Sequence, residues 1–476
     1  MLQSSKKAYI IGILTVKVEA DIMQEKNFIL ITDTHFFKNS LGAYGDGYEA
    51  FMEREQKCFA ETEAINRAAF KFLENCDFSD TVLIAGDLTF NGEKESHYEF
   101  VKLLESLRNS GKKIYVVTAA HDISPNPFCF PGSDDKMPAE GIKFDDLHGL
   151  YHAYGYDDAI AFNKEHMSYV AQISDGVRLL VLCNDTAEGR SLAYDDEFCG
   201  WIKEQLDKAK ADGQLIFAME HYPVLAGQPI LSLIKDARQK EAQKLIDLLA
   251  DNGCSLIFTG HMHNQSINVV ETEKGNKFYD VCTGSLIGCP AFMRFCTVKD
   301  EKTIEIKSVP VPDFEWNTKG KTCEEYLQAQ FDSMILNLLI GLRDDPPRTM
   351  RKIGMKPNPA LVKVFGKLGK GICNSSVGKA AKFFHVKAEP EIKDMPLLDL
   401  LTNVVRYVFC GDQPYTDKTP EGRVLLAIVK KLSPVIRIAN KKLHGSQGEQ
   451  LDLYEVIKHS FGNYGIPDNN ATIILK

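Results

Sequence analysis

The segment Gly260-His261-Met262-His263-Asn264 directly follows the apolar run 255–259, which reads Ser-Leu-Ile-Phe-Thr. The apolar run predicts a buried β-strand, and the glycine after it predicts a turn where the strand ends. On an extended segment, His261 and His263 point to the same side, so both imidazoles can reach one small volume. Open α/β sheets place their ligand sites at the carboxyl edge, and the segment therefore predicts an α/β fold with a site there.

Four other apolar runs in the same part of the chain end in carboxylates or histidines. The runs 27–32, 81–85, 113–118 and 214–218 lead to Asp33 and His35, Asp87, His121 and Asp122, and His221. Taken singly, each group is compatible with a turn, a helix cap or a buried histidine. Five such strand ends together predict a metal site, because mixed carboxylate and imidazole ligands suit ions such as Mn, Fe, Zn, Ni or Co. One carboxylate shared by two ions would make a two-metal hydrolytic site.

The composition is that of a globular protein with two or three domains. The chain has 476 residues, of which 44% are hydrophobic and 25% are charged. No apolar run approaches the ~18 to 20 residues that a membrane-spanning helix requires. The 12 cysteines include no Cys-x-x-Cys pair, which excludes a zinc ribbon and a thioredoxin-type motif. Several cysteines lie inside apolar runs, as is typical of a reducing compartment, so we predict a cytoplasmic location.

Residues 1–26 predict a leader that precedes the folded domains. Two lysines stand before the short apolar run 8–16, which leaves a secretion signal as the alternative. Lys17 and Glu19 crowd the position where such a signal would be cleaved. We therefore favour a poorly ordered or disordered leader.

Strand and helix patterns alternate up to about residue 260, and shorter β-runs follow, which predicts a mixed α/β domain. Pro310, Pro312 and Gly320 mark a change of character. Helical patterns separated by breakers dominate beyond these residues. We predict an α/β domain over residues 27–315 and a helical domain over residues 320–476.

The net charge of −9 divides at the same boundary. Residues 320–476 carry 23 Lys and Arg against 16 Asp and Glu, a net charge of +7, which leaves −16 for residues 1–319. A basic helical domain could steer an anionic substrate, bind nucleic acid or dock on the acidic domain. Because the basic residues are spread out rather than clustered with aromatic ones, we favour docking and find no strong nucleic-acid signal.

The order of the strand-end motifs resembles that of the calcineurin-like metallophosphoesterases. The family pattern is D-x-H, G-D, G-N-H-[D/E], a His, and G-H-x-H. The chain shows, in the same order, Asp33-Thr-His35, Gly86-Asp87, Ala119-Ala-His121-Asp122, His221 and Gly260-His-Met-His263. The resemblance covers residues 27–309. The segment from Gly86 to Glu93 and the appended helices are similar to the bacterial class III cyclic-nucleotide-phosphodiesterase-like branch.

The resemblance implies an α/β fold in which a two-sheet β-sandwich is flanked by helices, followed by a C-terminal all-α domain. It also implies two divalent metal ions, for which Mn, Fe and Zn are the candidates. The implied ligands are Asp33, His35 and His263 for the first ion, His221 and His261 for the second, and Asp87 as the bridge. The implied chemistry is the attack of a metal-bound hydroxide on phosphorus.

Three further roles are predicted around the metals. The resemblance implies that His121 lies beside the leaving oxygen, and we expect Asp122 to orient the His121 imidazole, unless Asp122 is only a turn residue. By position alone, we predict that the residues next to the metal motifs line the substrate cleft. These residues are Phe36, Phe37, Asn91 and Asn264.

Ala120 departs from the family pattern, which has a metal-binding Asn at this position. An Ala side chain cannot bind a metal, so the resemblance implies a second site that lacks one ligand and is partly occupied. Ala119 replaces the Gly of the pattern, and Ala disfavours a positive φ. Three outcomes stay open: water fills the vacancy, the second metal binds weakly, or much of the activity is lost.

These observations predict a metal-dependent phosphoesterase that hydrolyses a phosphodiester, such as a cyclic nucleotide or a related small molecule. One alternative is a phosphomonoesterase or nuclease of the same fold. Another is a degenerate member that binds metal as a scaffold without catalysis. The predicted partner is a small phosphoester substrate, and the helical domain could shape the cleft or mediate a homo-oligomer.

Overall fold

The computed structural model describes residues 25–475 except 54, 184, 186–193, 235–236, 353–355, 441–449, 451 and 462–464. All but the last two residues of the predicted leader, residues 1–26, therefore lie outside the described residues. Within the described part of the chain, no helix is both long and apolar enough to cross a membrane.

The described residues form a mixed set of strands and helices. The strands are β1 (Lys26–Ile31), β2 (Ala43–Tyr44), β3 (Thr81–Ala85), β4 (Lys113–Val117), β5 (Phe128–Pro131), β6 (Met137–Pro138), β7 (Ala159–Asn163), β8 (Ser168–Ser174), β9 (Val177–Val181), β10 (Leu215–Met219), β11 (Leu256–Thr259), β12 (Ser266–Glu271), β13 (Lys277–Cys282), β14 (Phe292–Val298), β15 (Thr303–Pro310) and β16 (Asn470–Ile474). The α-helices are α1 (Asp46–Met52), α2 (Thr62–Glu74), α3 (Lys94–Asn109), α4 (Phe144–Tyr151), α5 (Asp196–Ala211), α6 (Ala242–Ala250), α7 (Cys323–Asp344), α8 (Pro346–Lys352), α9 (Pro359–Asn374), α10 (Val377–Phe383), α11 (Leu397–Cys410), α12 (Pro420–Asn440) and α13 (Leu453–His459).

Two large sheets form the centre of the molecule. The first has six strands in the order β16-β15-β14-β1-β3-β4, and the second has seven in the order β12-β13-β11-β10-β9-β8-β7. Each sheet contains a run of parallel strands, namely β1, β3 and β4 in the first and β13, β11, β10 and β9 in the second. The sheets share an apolar core, where Phe28 stacks on Phe217 with 5.1 Å between the ring centroids.

Amphipathic helices cover the outer faces of the two sheets. Helices α2 and α3 bury residues such as Ile65, Leu73 and Leu104 in the core of the first sheet. Helices α5 and α6 share a separate apolar cluster with the second sheet, to which Leu206 and Leu249 belong. The parallel strands are buried on both sides, which explains why they read as continuous apolar runs. The predicted mixed α/β, two-sheet architecture flanked by helices is confirmed.

A C-terminal region of several helices follows the sheets, as predicted. Helices α10 to α13 share an apolar cluster of their own that includes Leu400 and Val424. The region does not end in a helix, because β16 returns to pair with β15 in the first sheet. The fully buried Arg294 of β14 fixes this return by donating to the carbonyl oxygens of Asp468 and Asn469. The predicted boundary near residues 315–320 stays a proposal.

Candidate metal centre

The carboxyl ends of β1, β3 and β4 in the first sheet meet those of β10 and β11 in the second. Three groups of residues at this edge could each hold a metal ion. Within each group, the potential ligand atoms lie within 4.8 Å of one another. The groups are Asp33, His35 and His263; His35, Asp87 and His121; and Asp87, His221 and His261. The structure therefore brings the six predicted metal ligands and His121 together in one place.

The first cluster joins residues from both sheets. The Nε2 atoms of His35 and His263 lie 3.0 Å apart. Asp33 Oδ1 lies 3.2 Å from the Nε2 atom of His263 and 3.5 Å from that of His35. Asp33 Oδ2 is held in place, because it accepts hydrogen bonds from Thr32 Oγ1 at 2.7 Å and from the backbone N–H of His261 at 3.0 Å. One oxygen of Asp33 is thus fixed by the protein, while the other faces the imidazoles.

Asp87 lies between the first cluster and the second. Its Oδ2 atom is 3.1 Å from His221 Nε2 and 3.7 Å from His35 Nε2. His221 donates from Nδ1 to the carbonyl oxygen of Ala85 at 2.8 Å, which orients the ring and turns Nε2 toward Asp87. The His261 ring packs 5.3 Å from the ring of His221, measured between centroids.

The donor set fits a pair of divalent ions. Asp33 Oδ1 and His221 Nε2 are buried and have no hydrogen-bond partner among the described residues. A buried polar atom without a partner costs about 1–3 kcal/mol, and two imidazole nitrogens at 3.0 Å repel unless a proton or a cation lies between them. Carboxylate oxygens and imidazole nitrogens are the ligands that Mn, Fe and Zn ions accept.

The electrostatics of these side chains also favour a bound cation. Burial alone would raise the pKa of Asp33 and Asp87, but the neighbouring imidazoles, above all His263 and His221 respectively, hold both well below their ordinary range. Burial would lower the pKa of His221, but the Asp87 and Asp33 carboxylates outweigh it and raise this pKa to about 10. The carboxylates therefore attract positive charge, which a divalent ion would supply in place of the proton.

Strained backbone is concentrated at the predicted ligands. Asp33, His35, Asp87, His261 and His263 have φ values between 38° and 67°. Residues other than glycine rarely adopt this left-handed region, and such strain persists mainly at functional sites, where the surroundings enforce it.

Two motif glycines are required by close packing at the site. A Cβ atom on Gly260 would lie 2.2 Å from Thr32 Oγ1 and 2.4 Å from Asp33 Oδ2. Gly86 has a φ of 89°, and a Cβ atom there would lie 2.6 Å from His221 Nδ1. The glycines therefore let the backbone approach the ligand side chains.

His121 reaches the site, but its partner differs from the one we expected. Its Nδ1 atom donates to the carbonyl oxygen of Phe90 at 2.6 Å. Asp122 does not contact the imidazole: its two oxygens accept from Thr89 N at 2.9 Å and from Ala119 N at 2.8 Å. Burial raises the pKa of Asp122 to about 8. The expectation that Asp122 orients His121 is therefore not met, and Asp122 instead ties the turn after β4 to the turn after β3.

The two alanines at this turn have different consequences. Ala119 has a φ of −144° and a ψ of −175°, so the turn does not need a glycine there. Ala120 follows in a short 3₁₀ turn, Ala120–Ile123, next to His121. Its methyl group offers no ligand atom.

Most residues predicted to line the cleft lie elsewhere. Phe36, Phe37 and Asn264 are fully buried, and Phe37 belongs to an aromatic cluster with Phe59. The Asn264 amide oxygen accepts from Cys282 Sγ at 3.4 Å rather than facing a cleft. These three side chains are packed in the protein interior. Their position in the sequence, directly after the metal motifs, does not reveal this.

Asn91, the fourth residue predicted to line the substrate cleft, is half-buried. Asn91 donates from its amide to the carbonyl oxygen of Asn126 at 2.8 Å. This contact ties Asn91 to the neighbouring loop, and its role toward a substrate stays a prediction.

Two residues near the site escaped the motif search. Asp185 lies just beyond β9, is buried, and accepts from Tyr222 Oη at 3.0 Å. Its position after a strand was a signal that could have found it. Lys57 lies in the loop between α1 and α2 and is also buried. No strand-end or periodic signal marks Lys57 in the sequence.

A comparison with protein families decides the assignment. A model described as calcineurin-like phosphoesterase matches residues 26–265. The chain belongs to the calcineurin-like phosphoesterase family. The matched region contains every predicted metal ligand, from Asp33 to His263. Calcineurin-like phosphoesterases are hydrolases of phosphoester bonds with a dinuclear metal site, and the ligand clusters described above fit such a site.

Solved structures resemble this calcineurin-like phosphoesterase at low identity. A dimetal phosphatase from Danio rerio is 11% identical with a TM-score of 0.42, and the match covers 60% of this chain and 95% of that one. A purple acid phosphatase from yellow lupin seeds is 15% identical with a TM-score of 0.41, and the match covers 61% of this chain and 52% of that one. These likenesses carry no functional argument. No curated protein matches the chain.

Proposed function

We propose that this calcineurin-like phosphoesterase hydrolyses a phosphodiester, such as a cyclic nucleotide or a related small molecule, in a metal-dependent reaction. The observation that carries the proposal is the pair of ligand clusters that meet at Asp87, with His121 at the same edge. The similarity of the segment from Gly86 to Glu93 and of the appended helices to the class III phosphodiesterase-like branch favours a diester.

The protein's own residues would hold and orient the reacting groups. Asp33, His35 and His263 would hold one ion, His221 and His261 the other, and Asp87 both. Divalent ions at such a site supply Lewis-acid polarisation of the phosphoryl group and activate a water molecule as nucleophile. The hydrogen bond from His221 to Ala85 and those that hold Asp33 Oδ2 would fix the ligand atoms before substrate binds.

His121 would act on the leaving oxygen. Its Nδ1–H is held by the carbonyl oxygen of Phe90, so Nε2 is the atom left to carry and release a proton. A protonated Nε2 would give its proton to the leaving oxygen as the P–O bond breaks, which leaves the neutral imidazole bound to Phe90. We therefore assign His121 as the general acid and Asp122 as a structural residue.

We infer that the second ion binds more weakly than the first. The first cluster has Asp33, His35 and His263 in addition to the shared Asp87, whereas His221 and His261 alone join Asp87 in the second. Ala120 stands where the family pattern supplies a further ligand. Open coordination positions that water must fill leave the ion less firmly held.

The test compares substrates on the metal-loaded protein. The chain is loaded in turn with Mn, Fe, Zn and Co. For each metal, kcat/KM is measured for bis(4-nitrophenyl) phosphate, 4-nitrophenyl phosphate, cyclic nucleotides and polynucleotides, with Asp87→Asn as the inactive control. We expect the diesters to be turned over with the higher kcat/KM. A higher kcat/KM for the monoester would favour a phosphomonoesterase, and cleavage of polynucleotides alone would favour a nuclease.

A second candidate function is favoured by one observation. Ala120 removes a ligand, and a degenerate member that binds metal as a scaffold would tolerate that loss. No turnover of any phosphoester with any of the four metals, together with tight binding of a single ion, would establish this reading instead.

We also propose a reducing, cytoplasmic compartment. All 12 cysteines are free thiols, and most of them are buried. Cell fractionation tests this proposal, and recovery of the protein outside the cytoplasm with paired cysteines would contradict it.

A further inference from the structure

Lys57 places a buried positive charge on one face of the Phe90 ring. The residue is 7% exposed, and its Nζ atom lies 4.6 Å from the centroid of that ring. The Phe59 ring stacks on Phe90 with 3.9 Å between centroids, so it covers one face and the ammonium group lies over the other. A cation over an aromatic face is attracted by the electrons of the ring, which helps to hold the side chain in this position.

Phe90, whose ring lies against the Lys57 ammonium, borders the predicted metal centre. The carbonyl oxygen of Phe90 accepts the hydrogen bond from His121 Nδ1, and the Phe90 ring lies 6.1 Å from the ring of His35. The neighbouring residue in the loop, Gln56, donates from its amide to the carbonyl oxygen of His263 at 3.5 Å. The loop that carries Lys57 therefore borders the predicted ligands and the predicted general acid.

A second buried lysine shows what is unusual about Lys57. Lys112 is 6% exposed, and its Nζ atom donates to the carbonyl oxygens of Cys76 at 2.5 Å and Ser79 at 2.8 Å. Lys57 Nζ donates no hydrogen bond to any residue in the described part of the chain, and its closest carboxylate oxygen, Glu55 Oε1, lies 4.0 Å away. The Lys57 ammonium therefore has N–H donors that the described residues leave available to another acceptor.

Among the described residues, Glu93 is another carboxyl group near Lys57, but it accepts no hydrogen bond from the Lys57 ammonium. Glu93 is fully buried, and its Oε2 atom accepts from the backbone N–H of Asn91 at 3.2 Å. The ammonium of Lys57 is thus positioned for an anionic oxygen that arrives from outside the chain.

We propose that Lys57 binds an anionic, non-bridging oxygen of the substrate's phosphoryl group beside the metal centre. The inference rests on the proposed function and adds a substrate-binding residue to it. An ammonium group fixed before the substrate arrives stabilises the charge that spreads over the phosphoryl oxygens during transfer. The recognised chemistry is that of a phosphate mono- or dianion.

The experiment measures phosphate binding as well as turnover. Binding of inorganic phosphate to the Mn²⁺-loaded full chain is followed by calorimetry, and phosphate inhibition and kcat/KM are measured on bis(4-nitrophenyl) phosphate. The variants are Lys57→Met, Lys57→Gln and Lys57→Arg, and the matched control is Lys112→Met. Melting temperature and metal content are recorded for each, so that a folding defect is recognised.

We expect Lys57→Met and Lys57→Gln to weaken phosphate binding about tenfold or more, as the loss of a hydrogen bond to a charged group predicts. Lys57→Arg should restore part of the affinity, because it keeps the charge. Lys112→Met should lower the melting temperature and leave phosphate affinity unchanged.

Wild-type phosphate affinity in folded Lys57→Met and Lys57→Gln, or no phosphate binding by the wild-type chain, would overturn the inference. Turnover by the wild type with no effect of Lys57 would leave the proposed function standing. Phosphate binding that depends on Lys57 without any turnover would instead overturn the proposed function.

Discussion

The Nε2 atoms of His35 and His263 lie 3.0 Å apart, although the two residues follow strands of different sheets. Asp33 Oδ1 lies 3.2 Å from the same nitrogen of His263. Nitrogen atoms with facing lone pairs cannot stay this close without a proton or a cation between them. An ion bound here would tie the carboxyl ends of β1 and β11 together, so metal binding and the packing of the two sheets are coupled.

Ala120→Asn should strengthen the second ion site. The substitution restores the carboxamide of the family pattern, and one added ligand should tighten the second ion about tenfold or more. Metal content per chain at limiting Mn²⁺ and two-site calorimetry measure the effect. Ala120→Leu, which has the shape of Asn without its oxygen, is the matched control. Equal stoichiometry in all three proteins would show that Ala120 does not limit the second site.

His121→Asn should lower kcat far more than metal binding. The Asn amide can still donate to the carbonyl oxygen of Phe90, but the variant has no Nε2 to protonate the leaving oxygen. We expect kcat to fall about 10²- to 10⁴-fold. The fall should be larger for diesters with poor leaving groups than for bis(4-nitrophenyl) phosphate. An equal loss for good and poor leaving groups would remove the general-acid role.

Gly260→Ala should damage the metal site by sterics alone. The added Cβ would collide with Thr32 Oγ1 and Asp33 Oδ2, so a ligand or its strand must move. We expect the free energy of unfolding to fall by about 1–3 kcal/mol and metal affinity to fall with it. Gly149→Ala is the control, because Gly149 lies in α4 and a Cβ there meets no atom within 4 Å. Unchanged metal affinity in Gly260→Ala would contradict the close packing at this turn.

Glu93 should make stability depend on pH. Burial raises its pKa from 4.5 to about 7, so between these values the folded protein binds a proton that the unfolded chain releases. The free energy of unfolding therefore falls as pH rises through this window. Glu93→Gln should flatten the fall and raise the free energy of unfolding at pH 8 by up to about 3 kcal/mol, at ~1.4 kcal/mol per pKa unit.

Denaturant unfolding at several pH values measures this effect. Glu95→Gln is the control, since Glu95 is exposed and paired with Lys38 at 2.6 Å. The same pH profile in wild type and Glu93→Gln would mean that Glu93 is ionised in the folded protein at little cost.

The sequence predicted the position of the site because a buried parallel strand has a fixed direction. Once the apolar runs are placed in sheets, the residues after them must gather at one edge, and Asp33, Asp87, His221 and His263 do so. The helical C-terminal region was likewise predicted from the helical spacing of its apolar residues. Local sequence was sufficient for both, because each ligand position and each helix is marked by residues within or directly after a single element.

Other features depend on partners that are distant in the sequence. Asp122 bonds to Thr89, which lies 33 residues away, and no local rule separates that partner from His121. Strand β16 pairs with β15 across more than 150 residues, so its short apolar pattern carried no signal on its own. Lys57 approaches the site only because its loop packs on Phe90.

We infer that these strand ends form a metal centre for phosphoester hydrolysis. The rate of bis(4-nitrophenyl) phosphate hydrolysis by chelator-treated protein, measured as Mn²⁺ is added back, tests this claim. Wild type is compared with His263→Ala and with His152→Ala, a control whose exposed imidazole pairs with Asp157. We predict no turnover without metal, saturable activation of wild type and His152→Ala, and little or none of His263→Ala. Turnover that persists in chelator, or full activation of His263→Ala, would contradict the claim.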